Sequence, residues 1–357
     1  MSNPYLLISS ILFIYSVVGY GIRNNYIIFL FLIIFCPFMI SYINLSDNLN
    51  YLTYFQLIKG GNNLSGYRFE PIYFFLNYIF SFFSNYSFLR AFLIGTSLSI
   101  KFFLIRAFGK NIPLILLMYF SLQFYPDSYL LRLTLAISLF LISSYKRYKG
   151  ENLYSFIFLI LAINSHRSAF ALVPFVILQN LYLPISSLIL SLFSIIFVFS
   201  FTNFFPLIVS NLNEIITPII RIAGISSSGN IDYYIQLFNG LSERSSFLTG
   251  SYITYLLIFI IYKLIFRNID QKEKREETNY ISNAMLYGLI FLLGFRFGII
   301  DRIARYNYVF FAIALGQIVE MIDKKYKYYI VIIISFILLY LAFSLNQGPF
   351  SQFDNFL

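Results

Sequence analysis

The chain is 357 residues long, 59% hydrophobic and only 11% charged, with a net charge of +10, one cysteine and one histidine. That composition leaves no soluble domain of useful size, and one Cys with one His excludes a Cys/His zinc site. The positive charge does not mark a nucleic-acid binder, because the basic residues cluster in short turns between apolar runs, as they do in loops held on the cytoplasmic side of a membrane.

In chain order, apolar runs occupy 5–22, 26–43, 71–84, 88–107, 112–125, 129–145, 153–166, 168–182, 184–203, 247–267, 280–296, 303–322 and 328–345. A hydrocarbon core is ~30 Å thick and every backbone amide inside it must be paired within the chain. The sequence therefore predicts an all-α polytopic membrane protein with about 12–13 transmembrane helices, built as one integral membrane domain over residues 1–357. The first run follows MSNP, without a basic n-region or a small-residue cleavage site, and reads as a retained helix rather than a signal peptide. Cys36, inside IIFLFLIIFCPFMI, reads as a small packed hydrophobe.

Cytoplasmic markers are YKRYKG at 145–150, RNIDQKEKREET at 267–278 and DKKYK at 323–327. An even number of runs separates the first two. By that parity the run ending in His166 passes from inside to outside, loop 204–246 lies outside, loop 267–279 is cytoplasmic, and the turn from Arg296 to Arg302 faces outside. The N-terminal third does not close. With Arg23 inside, loop 44–70 is outside and Arg106 and Lys110 follow it there, whereas counting back from YKRYKG puts them inside. Run 112–125, short and flanked by Pro113 and Pro126, is expected to be re-entrant; the alternative is a miscount of 71–84.

Ionisable groups in or beside hydrocarbon cost at least ~2.5 kcal/mol each, so they are functional candidates. Arg132 lies 14 residues before residue 146 and His166 lies 14 residues after residue 152. Both should stand ~21 Å above that turn, on consecutive antiparallel helices. The same count puts Arg305 and Arg302 at ~28 and ~33 Å above Lys324, and Arg296 at ~26 Å above Asn279. Arg302, Arg305 and Tyr306 are spaced to share one helix face. Bland readings stand beside these: Arg302 snorkelling next to Asp301, and His166 as a helix-end histidine bonded to a carbonyl or a headgroup. Arg167, about 100° round the helix from His166, reads as interfacial.

Guanidinium forks match phosphate oxygens, so arginines converging at the outer lipid boundary suit a lipid phosphate or diphosphate. Loop 44–70 adds Asp47 and Glu70 among Asn, Tyr and Gly, a composition suited to sugar hydroxyls. Loop 204–246 brings Glu214, Arg221, Asp232, Glu243 and Arg244, and its SSSGN stretch suits a lid. The sequence contains no Walker-type phosphate loop and no DxD pair, which argues against a nucleotide-driven reaction.

The order Asp47-x3-Tyr51-x2-Tyr54, Glu70-Pro71, LRLTLA at 131–136, the NSHRSA block ending at Ala169, and RIARY at 302–306 resembles the EpsG/Wzy-type bacterial polysaccharide polymerases of O-antigen, capsule and exopolysaccharide biosynthesis. The resemblance implies a bundle like that of the C-type membrane glycosyltransferases, in the bacterial cytoplasmic (inner) membrane with its active site on the outer, periplasmic side. It implies that oligosaccharide repeat units carried on undecaprenyl diphosphate are joined into a surface polysaccharide. Its partners would be the bilayer, the lipid-linked oligosaccharide and a Wzz-type chain-length regulator, with no nucleic acid. Fixed cations at the leaving group would make a metal or other cofactor unnecessary. Arg132, Arg302, Arg305 and Arg296 would hold the diphosphate, and His166 would be the general base. Asp47 or Glu70 is the competing base or positions the acceptor, and Tyr51, Tyr306, Asp232 and Arg244 would meet sugar. An O-antigen ligase shares the donor and is the nearest alternative. A lipid-linked oligosaccharide flippase would need cations through the full membrane depth, whereas these gather on one side.

Overall fold

The computed structural model describes residues 4–18, 26–41, 46–61, 70–83, 85–124, 128, 130–179, 245–266, 272–292 and 302–351. Asp232, Arg244 and Arg296 lie outside the described residues. Among the described residues all regular structure is helical, as the composition requires of a polytopic membrane protein. Tyr86–Phe108 and Lys324–Phe343 are each long and apolar enough to cross a membrane unaided.

The N-terminal helices are α1 (Pro4–Val18), α2 (Tyr26–Ser41), α3 (Ser46–Lys59), α4 (Pro71–Phe83), α5 (Tyr86–Phe108) and α6 (Ile112–Leu122). An antiparallel hairpin of α7 (Leu131–Tyr148) and α8 (Asn152–Ser165) follows, then a 3₁₀ turn (Arg167–Leu172) and α9 (Val173–Leu178). The C-terminal part contains α10 (Ser245–Ile265), α11 (Lys272–Leu292), a 3₁₀ turn (Arg305–Asn307), α12 (Tyr308–Glu320) and α13 (Lys324–Ser351).

Local sequence explains the helix starts. Asn85 caps α5 by accepting the Phe88 N–H at 3.0 Å, and Asn111 caps α6 through the Leu114 N–H at 3.4 Å. The α7–α8 turn closes at Gly150, whose φ of +79° a side chain would disfavour. Lys146 reaches Glu151 across it at 2.8 Å. The charged stretch expected as loop 267–279 is helical from Lys272 onward, because KEKREE is made of good helix formers and contains neither Gly nor Pro. Likewise most of the expected loop 44–70 up to Lys59 is α3.

Helix α6 forms the centre, with every residue from Pro113 to Ser121 buried. A helix that is apolar on all sides belongs there. It packs against α1, α13 and α12; at Gly316 of α12 a Cβ would stand 2.5 Å from Ile115 Cγ1, so the absent side chain permits the approach. By contrast α13 exposes Tyr329, Ile333, Phe336, Ile337 and Tyr340, a stripe of period three to four that faces lipid.

The structure settles the parity conflict against the expected re-entrant segment. At the start of α4, Tyr73 lies 5.5 Å from Tyr51 of α3, and just after its end Tyr86 lies 5.8 Å from Phe55, one turn along the same helix. Both ends of α4 therefore sit at one end of the bundle, and 71–83 does not cross. Helix α5 then runs to the basic end, where Phe108 meets Tyr148 and Tyr280, both at 5.4 Å. From there α6 returns: the Ser128 carbonyl accepts from Arg90 Nη2 at 3.3 Å, one turn into α5. Run 112–125 thus crosses, and Arg106 and Lys110 share the end that carries YKRYKG. Hydropathy cannot distinguish the two runs, and neither can helix length, since α6 is shorter than α4; the difference is that both ends of α4 are held at one end of the bundle.

Candidate functional site

The end of the bundle opposite the basic turn holds an open pocket of about 160 Å³, lined by Asn50, Tyr51, Leu130, Arg132, Leu133, His166 and Arg302. Four separated stretches build it: α3, the start of α7, the end of α8, and the turn before α12.

Arg132 is the second residue of α7 and Glu70 immediately precedes α4. The Glu70 carbonyl accepts the Phe74 N–H at 3.0 Å and Pro71 occupies the first helical position, so the chain emerges at Glu70 with its carboxylate directed at Arg132. Arg132 Nη1 and Glu70 Oε2 are 2.6 Å apart, with side chains 20% and 10% exposed. The guanidinium also stands 5.7 Å from the centre of the Tyr51 ring, which is itself packed on Tyr73. Asp47 falls in the first turn of α3, three positions before Asn50.

His166 ends α8 and starts the next turn. Its backbone is extended, its N–H returns to the Ala162 carbonyl at 3.0 Å, and its ring caps the following 3₁₀ turn, with Nδ1 accepting the Ser168 N–H at 3.2 Å. Ser168 Oγ lies 2.6 Å from the same Nδ1 and 3.1 Å from the Tyr306 hydroxyl. Arg167, beside it, is exposed.

The cluster at 302–306 divides. Arg302 lines the pocket, but the chain tightens from an α turn to a 3₁₀ turn at Arg305. In such a turn residues four apart separate, which takes Tyr306 off the face that α spacing predicts it to share with Arg302. Arg305 faces an inner cavity with Lys101, Tyr119 and Gln123. Tyr306 is 0% exposed and packs edge-on to Phe140 at 5.4 Å, behind the pocket rather than on its wall. Ser168 lies inside the NSHRSA block and Asn50 among the asparagines of 44–70, but nothing in the sequence singled out either residue. Arg90 and Lys101, buried in α5, did: each is a charge inside an apolar run.

The EpsG family model matches residues 4–355. The chain belongs to the EpsG family. No curated protein and no solved structure matches it. The match spans every element of the pocket, so this EpsG-family chain carries Arg132, His166 and Arg302 within the family's own extent. The family points to a membrane-embedded polysaccharide polymerase of glycosyltransferase type.

Proposed function

We propose that this EpsG-family protein joins oligosaccharide repeat units carried on undecaprenyl diphosphate, on the outer side of the bacterial cytoplasmic membrane. The observation carrying this reading is the convergence of Arg132, Arg302 and His166 on one open pocket at the end of a lipid-facing bundle away from its basic turns. Two guanidinium groups in a low-dielectric wall suit a diphosphate whose negative charge grows as it leaves. Tyr51 and Asn50 present an aromatic face and an amide on the pocket wall, groups that stack on and hydrogen-bond to sugar. Arg296, Asp232, Arg244 and Asp47 remain candidates for the surrounding contacts.

A deletion strain tests the activity. Its surface polysaccharide should lose long chains while single repeats still reach their final carrier. Loss of every attached repeat would instead indicate a ligase or a flippase.

Orientation follows from charge, since the Lys146–Lys149 turn should be cytoplasmic. In a Cys36→Ala background, Asn50→Cys and Arg167→Cys, both at exposed positions, should react with a membrane-impermeant thiol reagent on intact cells. Lys149→Cys should react only after permeabilisation. The reverse pattern would put the pocket on the cytoplasmic side.

A further inference from the structure

The hydrogen bonds around His166 determine which of its nitrogens carries the proton. Tyr306 is fully buried, and its hydroxyl is bonded to Ser168 Oγ at 3.1 Å. A buried O–H needs an acceptor, and Ser168 Oγ is in place to serve. The Ser168 hydroxyl then gives its own proton onward to His166 Nδ1, 2.6 Å away. The Ser168 backbone N–H, which can only donate, points at the same Nδ1 from 3.2 Å. With this direction every donor in the chain is satisfied. The opposite arrangement, a proton on Nδ1, sets that proton against the Ser168 N–H, which is aimed at the same nitrogen. Nδ1 is therefore the acceptor, and in the neutral ring the proton belongs to Nε2, the nitrogen left for the pocket that His166 lines.

We infer that His166 serves the reaction as a hydrogen-bond donor through Nε2–H, aimed at an oxygen of the bound diphosphate, with Ser168 and Tyr306 as positioning residues that lock its tautomer. This rests on the polymerase reading above. It changes the route of the acceptor's proton, because an imidazole that already bears hydrogen on its pocket-facing nitrogen is not the base there. In the step, the acceptor hydroxyl oxygen forms its bond to the anomeric carbon and the bond from that carbon to the diphosphate oxygen breaks. The electron pair leaves on undecaprenyl diphosphate, where Arg132, Arg302 and the Nε2–H meet it. The hydroxyl proton passes to the Glu70 carboxylate, the anion that the diphosphate displaces from Arg132.

Three substitutions at one position test the donor role. A glutamine amide reaches the place of Nε2 and keeps an N–H there while losing the cap on Ser168. An asparagine amide reaches only the place of Nδ1, so it keeps the cap and loses the donor. Alanine loses both. Turnover would be measured on purified full-length protein with lipid-linked repeat units, alongside binding of undecaprenyl diphosphate and the thermal unfolding midpoint. His166→Ala and His166→Asn should both lose ~10²- to 10³-fold in turnover, the scale for removing one donor from a developing anion. His166→Gln should retain about a tenth of wild-type turnover or more. Because Gln and Ala lack the cap alike, a folding defect cannot produce the difference between them. Tyr306→Phe and Ser168→Ala should each lower turnover about tenfold with diphosphate binding unchanged, and Ser168→Thr, which keeps the hydroxyl, should restore it. His166→Gln as inactive as His166→Ala, in protein that still binds undecaprenyl diphosphate through Arg132, would overturn the donor role alone. Absence of that binding in wild type, or binding indifferent to Arg132→Ala, would sink the polymerase reading with it.

Discussion

Arg132→Ala should lower polymer synthesis by ~10²- to 10³-fold, and Arg132→Lys should recover only a small part of it. The guanidinium stands at the pocket wall with Nη1 on Glu70 and its face toward Tyr51. Lysine keeps the charge but offers a point cation on a flexible stem, which neither stacks on Tyr51 in the same way nor forms a fork with two phosphate oxygens. Affinity for undecaprenyl diphosphate should fall along with turnover in Arg132→Ala. A lysine variant with wild-type turnover would show that charge alone suffices there and that the fork has no role.

The second large effect concerns stability. Glu70 and Arg132 form a short ion pair with 10% and 20% side-chain exposure, between the start of α4 and the start of α7. Removing either partner leaves the other in a half-buried place that its partner had neutralised. Glu70→Ala should lower stability in detergent, and a double-mutant cycle with Arg132→Ala should give a coupling of about 1–3 kcal/mol, read from unfolding midpoints under one set of conditions. Additive single effects would mean that the pair is held in place by the fold without helping to hold it. Helix α4 depends on this contact more than the crossing helices do, because it lies across one end of the bundle and exposes Phe74, Phe75, Tyr78, Phe82 and Phe83.

The amino-acid sequence by itself determined those properties that depend on rise per residue and local polarity. Apolar runs specify helices, and a basic turn between α7 and α8 specifies an antiparallel pair. Equal spacing from that turn puts Arg132 and His166 at one height, where both line the pocket. The position of His166 at a helix end was legible for the same reason, but its ring caps the next turn by accepting the Ser168 N–H instead of bonding to a carbonyl or a headgroup. Only the tertiary structure decided the remainder. Runs 71–84 and 112–125 have similar hydropathy, and which of them crosses depends on α3 holding both ends of α4 beside Tyr51 and Phe55. Arg305 and Tyr306 obey an α spacing on paper, but Arg305 faces the inner cavity and Tyr306, in a 3₁₀ turn, is buried against Phe140. The Glu70–Arg132 pair joins residues 62 apart, and the bond from Tyr306 to Ser168 joins residues 138 apart. No local pattern encodes such partners, because each pairing is set by how separate helices pack rather than by the spacing within one.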